Sequence, residues 1–115
     1  MTLEVLHAPG QGRARSVDIL LVHGIFVGAW VWEPHFMPYL AAAGYNVHAV
    51  SLRGHGASCG QDRLRGLTLA DYTADLDEVA SAIERPVVAV GHSMGGAVVQ
   101  NAIREGTRFA GAALV

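Results

Sequence analysis

The chain has 115 residues, which is enough for one domain and too few for two. Hydrophobic residues make up 51% of it and charged residues 16%, a composition that excludes intrinsic disorder. The 8 Lys and Arg residues against 10 Asp and Glu residues give a net charge of −2, which argues against nucleic-acid binding and against an anionic membrane surface as partner.

The cysteine content and the N-terminal residues favour a cytoplasmic location. The single cysteine, Cys59, cannot form an internal disulfide or a CxxC pattern for metal or redox chemistry. Residues 1–7 carry an acid, Glu4, where a signal peptide would carry basic residues. No apolar run approaches the roughly 18 residues that a membrane helix needs. We therefore predict a cytoplasmic protein that does not enter a membrane.

The first half of the chain predicts two strands with a helix between them. Residues 19–22 are an unbroken aliphatic run and residues 47–50 are nearly so, which is typical of strands buried on both faces of a parallel sheet. A helix is predicted to begin near residues 34–38 and to end at Gly44. Residues 54–66 are rich in Gly and Arg and predict a loop.

The best-defined helix covers residues 68–83, where apolar residues recur at spacings of three and four. Thr68, with Asp71 three residues later, resembles a capping box. We expect the acidic residues on the outer face of this helix to be solvated; they are Asp71, Asp75, Asp77 and Glu78.

Three further elements complete the pattern: a strand at residues 87–90, a helix at 94–105 and the beginning of a strand at 112–115. Strands that alternate with helices predict an α/β fold, a parallel sheet with helices on both faces. The last run stops without a turn or a cap. We therefore expect residues 1–115 to be the N-terminal part of a single domain, incomplete at the C-terminus.

A nucleophile motif follows the strand at residues 87–90 directly. Residues 91–95, GHSMG, fit the G-x-S-x-G nucleophile elbow in its strand–turn–helix context. The serine of such an elbow sits in a strained turn, and the glycines let the strand and the helix approach each other. Ser93 is therefore the candidate nucleophile.

The turn at residues 22–26 also follows a buried strand, and its backbone N–H groups are candidate donors to an oxyanion.

Three segments in this order and spacing resemble the α/β-hydrolase superfamily from about Asp18 onward: the His23-Gly24 turn, the loop RGHGAS at 53–58 and GHSMGG at 91–96. The stretch HGIFVGAWVW at residues 23–32 is also similar to the methyl-esterase and hydroxynitrile-lyase branch. The family resemblance implies a covalent serine mechanism with no cofactor and no metal.

The resemblance also implies roles for individual residues. Ser93 would attack, and the N–H of Met94, with that of Ile25 or Phe26, would form the oxyanion hole. The residues expected to line the substrate pocket are Phe26, Trp30 and Met94, although Trp30, like Trp32, is also suited to core or rim packing. The residues expected to support the site structurally are His23, Gly24, Gly91, His92 and Gly95.

The chain departs from the family pattern in two places. Ser51 stands where many relatives carry an aspartate. More importantly, the triad of this fold runs in the order serine, acid, histidine, and no histidine follows Ser93. The acid that does follow, Glu105, lies in the helix after the elbow and is expected to point away from the site. We therefore expect the 115-residue chain alone to be inactive.

The prediction is a serine hydrolase of this fold, acting on a small-molecule carboxylic ester or related carbonyl compound through Ser93 and truncated before its catalytic acid and histidine. Two alternatives remain open. In the first, the chain is an inactive fragment or binding remnant of such an enzyme. In the second, it belongs to a lyase in which the same serine acts as a base without being acylated.

Overall fold

The central sheet is mostly parallel. The structure, a computed structural model, describes residues 2–115, and within them five strands form one sheet in the order β1-β3-β2-β4-β5. The strands are β1 (Val5–Ala8), β2 (Asp18–Val22), β3 (Val47–Val50), β4 (Val87–Gly91) and β5 (Gly111–Leu114). Strands β2 to β5 run parallel to one another, and β1 pairs with β3 in the antiparallel sense.

Helices cover both faces of the sheet, because the buried strand β2 sends alternate side chains to opposite sides. Leu20 and Val22 pack in the core beneath α2 (Leu69–Ala82) and α3 (Met94–Arg104). Their neighbours Ile19 and Leu21 pack in a second core on the other face. That face is covered by α1 (Phe36–Ala42) and a 3-10 helix (Ala29–Trp32). The predicted α/β fold class is confirmed.

Strand β1 was not predicted, and it makes the sheet mixed. Its four residues alternate between exposed and half-buried positions, as expected for a short strand at the edge of a sheet. It therefore lacks the unbroken aliphatic run that identified the other strands. The predicted loop at residues 54–66 also contains a 3-10 helix, Gln61–Gly66.

The capping box that begins α2 is confirmed. The Thr68 hydroxyl accepts the backbone N–H of Asp71 at 3.3 Å, and the Asp71 carboxylate accepts the backbone N–H of Thr68 at 2.9 Å. This second hydrogen bond is the main reason that the pKa of Asp71 is lowered from its ordinary value. The two bonds satisfy N–H groups that a helix leaves without partners at its first turn.

The prediction that Asp75 is solvated is wrong. Its side chain is buried, and its two carboxylate oxygens accept from Arg53: the backbone N–H at 2.8 Å and the guanidinium at 2.7 Å. The hydrogen bonds to Asp75 raise the pKa of Arg53. Helical periodicity places Asp75 beside the acids of the outer face. Its partner, Arg53, belongs to a loop that is distant in sequence, and the periodicity of the helix gives no information about that contact.

The order of the strands in the sheet reverses beside β2. Val22, the last residue of β2, is in register with Gly91, the last residue of β4, so the segments after both strands begin side by side. From β2 the chain first goes to β3 on one side and later to β4 on the other. In open α/β sheets, ligands bind at the carboxyl ends of strands where the strand order reverses in this way.

None of the helices in residues 2–115 combines the length and the apolar character needed to cross a bilayer.

Candidate active site

Ser93 lies in the turn between β4 and α3 with a strained backbone. Its φ is 55° and its ψ is −118°, a conformation that residues with a side chain rarely adopt. It is exposed at the carboxyl edge of the sheet and directly precedes the first residue of α3. The nucleophile elbow that the motif predicted therefore has the strained turn that holds a serine hydroxyl clear of the sheet.

Gly91 and Gly95 are required by close contacts between backbone segments. A Cβ on Gly91 would lie 2.6 Å from the carbonyl oxygen of Gly95, and a Cβ on Gly95 would lie 2.6 Å from that of His23. Real Cβ atoms essentially never come so close to another atom, and these neighbours are backbone that cannot move aside. The start of α3 thus rests directly on the ends of β4 and β2, which fixes the position of Ser93.

The turn after β2 lies against this elbow. A Cβ on Gly24 would lie 3.3 Å from Nδ1 of His92 and 3.4 Å from Cβ of Ser93. Two residues further on, Phe26 has a φ of 65°, so this turn is also strained. The structure therefore brings the backbone of residues 24–26 beside the candidate nucleophile.

Met94 is the first residue of α3, and its N–H has no acceptor within the helix because the preceding turn is absent. That N–H follows Ser93 directly and lies at the positive end of the helix dipole. Ile25 and Phe26 follow Gly24 on the turn that packs against the elbow.

The side chains expected to line a substrate pocket differ in their exposure. Phe26 is 76% exposed and Trp30 is 53% exposed, whereas Met94 is half-buried and packs against the core of α2 and α3. Trp32 belongs to the opposite core: it is 5% exposed and meets the ring of His92 edge-on, with the ring centres 6.5 Å apart.

His23 is buried behind the turn and is held as a neutral ring. Its Nε2 accepts the backbone N–H of Leu52 at 3.0 Å, so its Nδ1 carries the proton and donates to the Gly24 carbonyl at 2.6 Å. Burial lowers the pKa of His23 from 6.5 to about 4. The neutral ring thereby links the end of β2 to the segment that follows β3.

The protonation of His23 is expected to make the fold sensitive to acid. Between its ordinary pKa of 6.5 and its folded pKa of about 4, the unfolded state binds more protons than the folded state. The contribution of His23 to stability is therefore complete above pH 6.5 and falls as the pH drops towards 4. Urea unfolding of the full-length protein should show a loss of about 2 to 3 kcal/mol from this residue between pH 7.5 and pH 4.5.

In His23→Gln this part of the pH dependence should disappear, whereas in His7→Gln, which changes an exposed histidine, it should remain. Equal pH dependence in His23→Gln and the unsubstituted protein would contradict this explanation.

The buried histidines bond to backbone groups and not to Ser93. His23 bonds to Gly24 and Leu52, and His55 lies 3.0 Å from the carbonyl oxygen of Arg53. His92 is exposed and adjoins the serine in sequence, with its Nδ1 beside Gly24. Within residues 2–115, no group of three or more His, Cys, Asp and Glu side chains is placed to hold a metal ion.

Sequence reasoning missed one group beside the site. Ser51 is buried, its hydroxyl donates to Glu4 Oε1 at 2.6 Å, and it accepts the backbone N–H of Ala29 at 2.9 Å. Glu4 drew attention only as an acid near the N-terminus. The departure from the family pattern noted at Ser51 was the one sequence signal at this position, and it did not point to Glu4.

Comparison with known proteins identifies the family of the chain. The model of a family described as "Alpha/beta hydrolase family" matches residues 19–115. The chain belongs to the alpha/beta hydrolase family. The resemblance noted in the sequence is thereby confirmed, including its similarity to methylesterases.

Three similar proteins illustrate the range of this family. Polyneuridine aldehyde esterase of Rauvolfia serpentina is 40% identical over 94 residues, which cover 79% of this chain and 34% of the esterase. Methylesterase 3 of Arabidopsis thaliana is 34% identical over 84 residues, which cover 71% of this chain and 32% of that protein. The solved structure of epoxide hydrolase A from Mycobacterium thermoresistibile has a TM-score of 0.80 and 31% identity, covering 97% of this chain and 34% of that one. The chain thus spans about a third of the length of each of these proteins.

Proposed function

We propose that this chain carries the nucleophile and the oxyanion-binding half of a serine hydrolase that acts on small-molecule carboxylic esters. One observation carries the proposal: Ser93 sits in a strained elbow with the Gly24 turn packed against it. Esterases among the relatives support the choice of substrate class.

In the proposed reaction, Ser93 Oγ attacks the carbonyl carbon of the ester and its proton passes to a histidine. The carbonyl oxygen becomes an oxyanion that the N–H of Met94 and that of Ile25 or Phe26 stabilise. The tetrahedral intermediate collapses and expels the alcohol, which takes the proton from the histidine, and acyl-Ser93 remains. Water then releases the acid by the same route.

The histidine and the carboxylate that orients it are proposed to come from a part of the full-length protein outside these 115 residues. No histidine follows Ser93 here, and the chain covers only about a third of each relative described above. Without that base the serine hydroxyl keeps its proton at neutral pH and is a poor nucleophile. We accordingly propose that the 115-residue chain by itself does not turn over esters.

Covalent labelling tests the proposal. The full-length protein should react with a fluorophosphonate, and tryptic mass spectrometry should find the adduct on Ser93. Ser93→Ala should remove the labelling, whereas Ser81→Ala, which changes an exposed serine on α2, should leave it unchanged. If the full-length protein folds but Ser93 stays unlabelled, Ser93 is not an activated nucleophile and the proposal fails.

A further inference from the structure

A carboxylate from the N-terminal segment reaches the back of the strained turn beside Ser93. Glu4 directly precedes β1, and its Oε1 accepts from the Ser51 hydroxyl at 2.6 Å and from the Ala57 backbone N–H at 3.2 Å. The Ser51 hydroxyl in turn accepts the Ala29 backbone N–H at 2.9 Å. We call this connected set of Glu4, Ser51 and Ala29 the Glu4 strut.

The backbone around the Glu4 strut is fixed at several further points. The Ser51 N–H donates to the Glu4 carbonyl at 2.8 Å, and the Glu4 N–H donates to the Ser58 hydroxyl at 2.7 Å. Ser51, Ser58 and Ala29 are all buried, so water competes little for these hydrogen bonds. The carboxylate is therefore held at a defined place.

The Glu4 strut fixes the far end of the candidate oxyanion turn. The near end, Gly24, packs against His92 and Ser93, while the far end is held through the N–H of Ala29. Between these two points lies Phe26 with its φ of 65°, a conformation that persists only where the surroundings enforce it. Gly28 adds a steric contact, since a Cβ there would lie 2.9 Å from Cα of Gly56.

We propose that Glu4, acting through Ser51, is a positioning residue that holds the residue 25–26 turn in the geometry that receives the oxyanion. This inference rests on the proposed hydrolase function. Glu4 has no role in binding substrate or in proton transfer. Its carboxylate aligns Ser51, and Ser51 aligns the backbone whose N–H groups face the developing charge. A shift of the turn affects the transition state more than the bound ester, because the oxyanion forms only during the reaction.

The test uses variants of the full-length protein. Glu4→Ala removes the acceptor, whereas Glu4→Gln keeps an oxygen that accepts from Ser51 and Ala57. Glu4→Ala/Ser51→Asp restores a carboxylate that accepts directly from the Ala29 N–H. Asn46→Ala is the matched control, because Asn46 Oδ1 accepts from Gly10 N–H at 2.9 Å and so fixes the far end of the N-terminal strand, away from the Glu4 strut.

Two readouts are measured: amide hydrogen exchange at Ala29, and kcat and KM for p-nitrophenyl acetate. In Glu4→Ala we expect exchange at Ala29 to rise about tenfold or more and kcat to fall about tenfold, with KM changed by less than about threefold. In Glu4→Gln and in Asn46→Ala, kcat should stay within about threefold of that of the unsubstituted protein. The double variant Glu4→Ala/Ser51→Asp should recover at least half of the kcat lost in Glu4→Ala, measured on a logarithmic scale. If Glu4→Ala does not fold, Ser51→Ala takes its place and should lower kcat similarly.

The outcomes separate this inference from the proposed function. Faster exchange at Ala29 with unchanged kcat would make the Glu4 strut structural only and overturn the positioning role. Unchanged exchange, or a double variant no better than Glu4→Ala, would overturn the Glu4 strut itself. A full-length protein without Ser93-dependent turnover would overturn the hydrolase function and the positioning role with it, while exchange at Ala29 would still decide whether the contact exists.

Discussion

Replacing Ser93 with alanine in the full-length protein is expected to lower kcat for p-nitrophenyl acetate by about 10⁴- to 10⁶-fold, the range found when triad members of serine hydrolases are removed. Among residues 2–115, Ser93 is the one serine that follows a strand of the sheet at a strained turn, with φ at 55°. Without its oxygen no acyl-enzyme forms. The rate that remains would come from the oxyanion donors and from substrate binding.

Two further variants make this result specific. Ser81→Ala should leave kcat within about twofold, because Ser81 is an exposed residue of α2. His92→Ala tests the neighbouring histidine as the base: if it lowered kcat as much as Ser93→Ala, the base would lie within these 115 residues. Retention of more than a tenth of the activity in Ser93→Ala would show that another group is the nucleophile.

Asp75→Ala is expected to lower the free energy of unfolding of the full-length protein by about 3 kcal/mol, at the lower end of the range for breaking a buried ion pair. The substitution leaves the Arg53 N–H without its acceptor, and the guanidinium keeps the Asp71 carboxylate at 3.5 Å but loses Asp75. We expect a loss at the lower end of that range because the Arg53 side chain is 20% exposed, so water replaces part of its interaction with Asp75.

The control variant is Glu78→Ala. Glu78 is an acid at an exposed position of the same helix, so this substitution should change the free energy of unfolding by less than about 0.5 kcal/mol. Urea unfolding at neutral pH measures both variants. If Asp75→Ala unfolds at the same urea concentration as Glu78→Ala, the ion pair contributes nothing measurable, and the burial of Asp75 has no energetic consequence for the fold.

Ser93 and Asp75 illustrate what the sequence can and cannot predict. The elbow was predictable because its requirements are local: a buried strand, a glycine on each side of Ser93 and the start of a helix. Strands β2, β3 and β4 were predictable because strands inside a parallel sheet carry nearly continuous aliphatic runs, and the run at residues 112–115 indicated β5 as well, although most of β5 is exposed.

The features that sequence reasoning missed depend on contacts between distant residues. Asp75 lies on the helix among acids that are solvated, and its partner Arg53 belongs to a loop 22 residues earlier. Glu4 and Ser51 are 47 residues apart, and neither has a spacing that suggests the other. Strand β1 is half-exposed, so its pattern lacks the apolar signal of a core strand.

The pairing of β2 with β4 has a consequence for the order of folding. Strand β3 joins one side of β2, but the other side waits for β4, which the chain reaches only after the loop at residues 53–66 and helix α2. Contacts that close long stretches of chain form slowly, because their loops lose much entropy before the contact compensates for it. The elbow rests on the end of β2 through Gly95, so it gains its support only after this long-range pairing. During synthesis on the ribosome, the turn at Ser93 would thus be one of the last parts of this segment to reach its folded conformation.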